Sequence, residues 1–334
     1  MTGLRCLAAA NLAALVVLWG LEQSAGELWC FTTLLTYAPQ HPFGIPSAGL
    51  LAWSAARRDG RSFLLAAAAA CFFLLALMGL RVPLRVPRGA EGVQLRVMTF
   101  NIRSAWDGLE GVVAAIRDVD PDILCLQEAD IWSATLPHLE VLPRRLPGYH
   151  NAAAESLQVL SRYPITAHKL YTPTPEANRA LLEVTLNVDG RPLSVLTAHF
   201  TTAARLHSLS RPGGSLCAHL RETSRLRAPQ AETAAEIARR MKPPSLFAGD
   251  LNTPPRGQMY RRLAEPWRNA FQEAGWGFGF TYPARWPLLR IDHIFVSRGI
   301  HIARCWVPRT QASDHRPVVA DLVVTAWGTA TPPP

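Results

Sequence analysis

The sequence predicts N-terminal transmembrane helices followed by an α/β domain. Three observations support that fold class. Charged residues are sparse before position 80 and plentiful after it. Two unbroken apolar runs and one interrupted run fill that same stretch. From residue 93 onward, short β-rich runs alternate with amphipathic helical ones.

The first apolar run is Leu7–Leu21, with Arg5 before it and Glu22 after it. The third, Phe63–Leu80, has eighteen residues without a charge and is long enough to span a bilayer. Between them, Leu28–Ala56 is broken by Tyr37-Ala38-Pro39-Gln40-His41-Pro42 and by Pro46. It reads either as one kinked span or as an interfacial piece followed by a span near Ile45–Ala56. A signal peptide would account for the first run alone, not for the other two. The expectation is a membrane anchor of about three helices over 1–80, then a Pro-rich extended linker over 81–92.

Orientation follows the distribution of basic residues. Arg5 precedes the first span, and Arg57, Arg58 and Arg61 lie between the second and third. The intervening loop carries Glu22 and Glu27 and no Lys or Arg. This predicts a multi-pass protein of the cell membrane with its N-terminus inside and its main domain outside the cytoplasm. Arg81, Arg85 and Arg88, directly after the last span, pull the other way.

The formal net charge of +9 permits phosphate, nucleic-acid or anionic-membrane partners without choosing among them. The six cysteines form no C-x-x-C pair, which argues against a structural zinc site. Cys6, Cys71 and Cys125 lie in apolar runs; Cys217 and Cys305 are the pair expected to bond, if any does.

Within the domain, expected over 93–325, Val93–Asn101 alternates and ends on Asn101. Gly108–Val119 is helical in pattern, with Leu109, Val112, Val113 and Ile116 on one face, and Asp120-Pro121 stops it. Asp122–Gln127 is a strand ending on Glu128, and Leu157–Ser161 is another. Ala180–Val188 and Pro192–Thr197 form a hairpin across Asp189-Gly190, the second strand running into His199. Ala228–Met241 is an amphipathic helix. Ser245–Ala248 is a buried strand that leads into Gly249-Asp250-Leu251-Asn252-Thr253 and stops at Pro254-Pro255. Ile291–Ser297 and Val318–Val324 complete the set, and 326–334 reads as a disordered tail.

Polar residues of catalytic type recur at these strand ends: Asn101, Glu128, His199, Asp250 with Asn252, Asp292, and Asp314 with His315. Side chains at i and i+2 of a strand share a face, so Asp250 and Asn252 are expected to point at one small volume. Taken singly, each residue has a structural explanation as a turn, cap or edge residue. Their repetition at so many apolar strand ends points instead to a shared site.

The set Thr99-Phe100-Asn101-Ile102-Arg103, Leu126-Gln127-Glu128, Leu160-Ser161-Arg162-Tyr163-Pro164-Ile165, Thr197-Ala198-His199-Phe200, Gly249–Thr253, Arg290-Ile291-Asp292-His293-Ile294 and Ser313-Asp314-His315-Arg316-Pro317 resembles the endonuclease/exonuclease/phosphatase superfamily. DNase I-like nucleases, abasic-site endonucleases, neutral sphingomyelinases and inositol polyphosphate 5-phosphatases belong to it. The apolar segments ahead of the domain also resemble a bacterial membrane-anchored branch that includes a vancomycin/teicoplanin-resistance-associated protein.

The resemblance implies a four-layered α/β sandwich of two mostly antiparallel sheets, with the active site at one end. It implies metal-assisted hydrolysis of a phosphate ester, with Mg²⁺, or Mn²⁺ as the alternative. Mg²⁺ prefers oxygen ligands and keeps several waters, so few protein ligands suffice. By this resemblance Glu128 and Asn101 are metal ligands, and Asp314 joins them or serves a second metal position. Asp250 orients or deprotonates the attacking water, with Asn252 fixing the water or the phosphate. Asp292 holds His315 in a cationic form suited to the developing charge. His199 contacts the phosphate or assists the leaving group, and Arg179 is a phosphate-binding residue. One departure is Ala154-Glu155-Ser156-Leu157-Gln158-Val159, where many relatives carry Gly and a small polar residue. Thr201–Arg227, rich in Arg and His, is a candidate phosphate-recruiting segment or a solvated loop.

The reading is a membrane-anchored Mg²⁺-dependent phosphoesterase acting on a lipid-linked or membrane-proximal phosphate ester. An endonuclease is the first alternative. The charge permits nucleic acid, but no basic groove interleaved with aromatics favours it. A non-catalytic membrane binding or resistance protein is the second, opposed by the complete set of catalytic residue types.

Overall fold

The computed structural model describes residues 3–83, 90–203 and 215–327. Residues 84–89 of the linker, Arg205, His207 and Arg211 of the basic segment, and the tail from 328 lie outside the described residues.

Four helices build the N-terminal segment: α1 (Gly3–Ser24), α2 (Cys30–Tyr37), α3 (Ile45–Ala56) and α4 (Gly60–Phe72), the last continuing through a π turn at Phe73–Leu77. Asp59 caps α4 through the Ser62 N–H and lies 3.7 Å from Arg5, so α1 and α4 start at the same end. Their far ends both reach the large domain, where Gln258 donates to the Ser24 carbonyl and Arg256 to that of Leu77. The chain must return between them, and α3 is that return. Two helices, Gly3–Ser24 and Gly60–Leu77, are long and apolar enough to cross a membrane. The third expected span is shorter. With 12 residues, α3 rises about 18 Å against a hydrocarbon core of about 30 Å. Pro39, Pro42 and Pro46 divide the middle segment instead into α2, a 3₁₀ turn at His41–Gly44, and α3.

The domain is built on two six-stranded sheets. Their strands, in chain order, are β1 (Val93–Asn101), β2 (Ile123–Gln127), β3 (His150–Ala154), β4 (Leu157–Ser161), β5 (Ile165–Thr174), β6 (Arg179–Val188), β7 (Arg191–His199), β8 (Ser245–Asp250), β9 (Arg268–Asn269), β10 (Asp292–Val296), β11 (Ile300–Trp306) and β12 (Val318–Val324). One sheet runs β11-β12-β1-β2-β4-β3 and the other β5-β6-β7-β8-β10-β9. Among the described strands, only β1–β2 and β7–β8 pair in parallel. Each parallel pair is bridged by a helix, α5 (Leu109–Val119) in the first and α7 (Leu216–Arg240) in the second. Branched residues of both sheets, among them Val97, Val159, Val184, Val195 and Ile294, interlock in the central core. A second core lies under α5 and α6 (Val141–Arg145), and a third under α7 and α8 (Gly257–Ala264). The result is the expected four-layered sandwich, helix–sheet–sheet–helix.

Asp189 and Gly190 both adopt positive φ, and Val188 pairs with Arg191, so the predicted hairpin closes on a two-residue turn. β3, β5, β9 and β11 are not evident from the sequence. α7 begins twelve residues ahead of the predicted start at Ala228, because Pro229, readable as a first-turn residue, lies inside the helix.

The cysteine expectation is overturned. Cys217, on α7, bonds Cys30 of α2, and Cys305 is buried on β11 without a bond. The N-terminal segment is not a detached anchor: α2 packs on α7, which brings two cysteines 187 positions apart to a Cα–Cα distance of 5.0 Å. Glu27 completes the joint. Its Oε2 accepts from the Gln258 and Met259 N–H groups at the start of α8, and its Oε1 from the Tyr37 hydroxyl.

Candidate active site

Topology explains why the polar strand ends meet. β1, β2, β7 and β8 finish at one edge of the sandwich, while the antiparallel β10 and β12 start there. Asp250, the last residue of β8, pairs across the ladder with Asp292, the first of β10, and with His199, the last of β7. The close approach of β8 to β7 needs Gly249, because a Cβ there would lie 2.2 Å from the Ala198 carbonyl oxygen.

Asn101 spans the two sheets. Its Nδ2 donates to Glu128 Oε1 at 3.1 Å and to Asp250 Oδ2 at 3.0 Å, and its Oδ1 accepts from the Arg103 N–H. His199 Nε2 lies 3.4 Å from Asp250 Oδ2 and 3.7 Å from Glu128 Oε1. Opposite them, His315 Nδ1 contacts both Asp292 oxygens, at 3.0 and 3.2 Å, and its Nε2 is 3.7 Å from Asp250. Tyr282 packs its ring 4.8 Å from that of His315. Behind the strand ends, Gln127 accepts from Thr99 and donates to Thr197, tying the two sheets together.

Asp250 and Asn252 do meet, although by another route than the predicted strand spacing. β8 stops at Asp250, and Asn252 takes a left-handed φ of 45°. This turn returns its amide to Asp250 Oδ2 at 3.3 Å and gives a second N–H to the Phe200 carbonyl. Glu128 is likewise left-handed, at φ 48°, which turns its carboxylate toward Asn101.

Burial and neighbouring charges shift both Asp250 and His315. Burial pushes the Asp250 carboxyl up to about 7, with the His315 charge opposing and Asp292 reinforcing. Burial alone would lower His315. The Asp292 and Asp250 charges outweigh it and raise the imidazole to about 10, so it is cationic at neutral pH.

Asp250, Asp292 and His315 offer ligand atoms within 4.8 Å of one another. Both Asp292 oxygens already face His315 Nδ1, which makes Asp292 and His315 a hydrogen-bonded pair first, with Asp250 3.7 Å from the far ring nitrogen. The carboxylates of the cavity with room for a ligand are Glu128 and Asp314, 35% and 36% exposed. Asp314 stands at the rim, 3.8 Å from Arg103 Nε. With two more buried acids close by, this oxygen-rich, acid-excess donor set fits a hard divalent cation. Arg179 starts β6 at the same edge, half-buried, outside the residues that line the central cavity.

That cavity, about 440 Å³, is walled by Glu128, His199, Asp250, Asn252, Asp314 and His315 on its polar side. Its other wall contains Leu34, Tyr37, Ala38 and Pro39 of the N-terminal segment, together with Leu220 of α7. Motif reading missed this wall, and it placed Arg227 in a basic segment read as phosphate-recruiting or solvated, which the burial of Arg227 within α7 overturns. Arg227 is wholly buried and donates to the carbonyls of Leu251 and Asn252 and to Thr253 Oγ1. A larger hollow of about 700 Å³, between α9 (Ala270–Ala274), β11 and the Phe278–Phe280 turn, holds none of the predicted site residues.

Comparison with known proteins agrees with this architecture. The model of the Endonuclease/Exonuclease/phosphatase family matches residues 98–315. Among solved structures, an endonuclease/exonuclease/phosphatase from Beutenbergia cavernae is 23% identical over 71% of this chain and 73% of that one, with a TM-score of 0.50. A mannosyl-6-phosphatase from Bacteroides thetaiotaomicron is 19% identical over 69% of this chain and 99% of that one, with a TM-score of 0.54. The catalytic domain of human Nocturnin with bound sulfate is 19% identical over 74% and 99%, with a TM-score of 0.50. At these identities the structures speak for the fold. No curated protein matches the chain.

Proposed function

Because the chain belongs to the endonuclease/exonuclease/phosphatase family, whose reaction is the hydrolysis of phosphate esters, we propose that it is a membrane-anchored, Mg²⁺-dependent phosphoesterase of lipid-linked or membrane-proximal esters. The observation that carries the reading is the cavity itself. Glu128, His199, Asp250, Asn252 and His315 line it, with Asn101 bonded to Asp250 and Asp292 to His315 behind them, and one wall is the N-terminal segment. The phosphate is thereby handled beside the bilayer, where tethering raises the effective concentration of lipid substrates.

Glu128, with Asn101 and Asp314 beside it, would hold the cation. Once bound, the cation would polarise a phosphoryl oxygen. Asp250, whose carboxyl is raised to about 7, takes a proton from the attacking water, and Asn252 fixes that water or the phosphate. The water oxygen forms the new P–O bond, while the ester oxygen leaves with the old bonding pair and is protonated by His199 or solvent. The His315 cation, held by Asp292, hydrogen-bonds the oxygen on which charge builds. Arg179, at the start of β6 and outside the cavity lining, would have to reach inward to contact the phosphate.

The Cys30–Cys217 bond supports a domain outside the cytoplasm, since disulfides persist in oxidising compartments. Arg5, Arg57, Arg58 and Arg61 lie near the opposite end of the helices, as the positive-inside rule requires of a cytoplasmic face.

The test uses the full chain in detergent with Mg²⁺, offered plasmid DNA, polyprenyl phosphate, phosphatidic acid and a simple phosphodiester. Hydrolysis of a lipid ester that stops with a chelator and returns with Mg²⁺ is expected. Cleavage of DNA alone would sink the lipid reading, and an Asp250→Asn protein as active as wild type would sink the catalytic one. A carboxyl-terminal reporter active only in the cytoplasm would reverse the topology.

A further inference from the structure

α2 is amphipathic in the wrong sense for water. Its Thr32, Thr33, Thr36 and Tyr37 are buried against the domain, with Thr36 and Tyr37 nearly inaccessible. Its apolar residues face out: Phe31 is 61% and Leu34 40% exposed, and Leu28 and Trp29 just before it are 63% and 67% exposed. A row of this kind, rimmed by Trp, suits the boundary between headgroups and acyl chains. The position of α2 agrees, since it follows the domain-side end of α1, where α4 also ends.

Leu34 belongs both to this outward row and to the catalytic cavity. Around it the cavity changes character. Its apolar lining includes Leu34, Pro39, Ala203, Leu220 and Leu289, and its polar lining Glu128, His199, Asp250 and His315. Apolar lining that includes a residue of an outward-facing apolar helix, joined in one cavity to phosphate-handling side chains, matches an amphiphile. The Cys30–Cys217 bond fixes α2 on α7, so the partly exposed Leu34 and the buried Leu220 line the same cavity from two tied helices.

We infer that this cavity draws its substrate sideways from the bilayer, the hydrocarbon chain of a lipid phosphate ester lying between Leu34 of α2 and Leu220 of α7. The inference rests on the phosphoesterase reading above and adds that the N-terminal segment selects the substrate, as well as tethering the enzyme. Chain length is then read by α2, and headgroup chemistry by the strand ends.

The test compares esters that share a headgroup and differ in tail. Full-length protein in phosphatidylcholine vesicles receives phosphatidic acid and phosphatidylglycerol with eighteen-carbon chains, and in solution the same headgroups with four-carbon chains. Wild type is expected to favour a long-chain ester, and Leu34→Asn to reduce the long-to-short ratio of kcat/KM by about tenfold. Leu34→Met should retain it. Leu34 is partly exposed, so the variant is expected to fold, and its intact Cys30–Cys217 bond on a non-reducing gel checks this. Short esters cleaved as fast as long ones, or an unchanged ratio in Leu34→Asn, would overturn this inference and leave the phosphoesterase reading standing. Cleavage of no ester at all would remove both.

Discussion

Arg227 holds its guanidinium 4.5 Å above the ring of Tyr37, while its Nη2 reaches the Asn252 carbonyl at 3.0 Å. One buried cation therefore joins the N-terminal segment to the loop that follows Asp250. Replacing it with Met would leave the Asn252 carbonyl without this donor inside the protein, while the Leu251 carbonyl keeps the Thr253 hydroxyl. Leaving such groups unpaired costs about 1–3 kcal/mol. Arg227→Met is expected to lower the denaturation midpoint and to reduce kcat more than KM changes, because Asn252 loses its support. Arg227→Lys should recover part of the charge and little of the forked geometry. A kcat equal to wild type would show that the loop holds its position alone.

His315 depends on Asp292 for its charge. Asp292→Asn keeps the shape and removes the partner that raises the imidazole. A loss in kcat on the order of 10²-fold is expected, the usual scale for one electrostatic contact to the transition state. Because the two residues act as a unit, adding His315→Gln to Asp292→Asn should cost little more. Additive losses in this double-mutant cycle would mean that Asp292 acts elsewhere.

How legible this site was depends on where its information lies. Asn101, Glu128, His199, Asp250, Asp292 and His315 each close or open an apolar strand, so hydrophobic patterning placed them at one sheet edge. The Asp250–Asn252 contact was anticipated for a different reason from the one that produces it, since a left-handed turn has no periodic signature. α2 was harder still. Hydropathy sees its apolar residues but not that they face outward while its threonines pack inward. Cys30 and Arg227 owe their roles to that packing, so neither sequence spacing nor local charge could reveal them.

The Cys30–Cys217 bond closes a loop spanning 187 positions. Chain-entropy arguments assign about 5 kcal/mol to a loop of that size, and measured values more often fall at about 2–4 kcal/mol. The double variant Cys30→Ser, Cys217→Ser should therefore melt at lower temperature, while added reductant should lower the wild-type transition toward the variant and leave the variant unchanged. Equal melting temperatures with and without reductant would show that α2 stays seated on α7 by packing alone.

His293 predicts an acid limit to stability that is separate from catalysis. Asn269 Oδ1 accepts from the Gln272 N–H, which turns its Nδ2 toward His293 Nδ1 at 3.2 Å. Nδ1 is thus the acceptor, and the ring proton sits on Nε2, donated to the Thr253 carbonyl at 2.8 Å. A second proton would set N–H against N–H. Burial first, and the Arg290 charge second, lower the imidazole to about 4, with the Thr253 carbonyl opposing. The unfolded chain binds a proton near pH 6.5 and the folded one does not. Stability should therefore be complete above that pH and fall as the pH drops from 6.5 toward 4, by an amount on the order of 3 kcal/mol. Denaturant midpoints measured at pH 7.5 and 5.0 should converge in His293→Gln, which cannot titrate. Parallel pH slopes in the two proteins would assign the acid sensitivity to other groups.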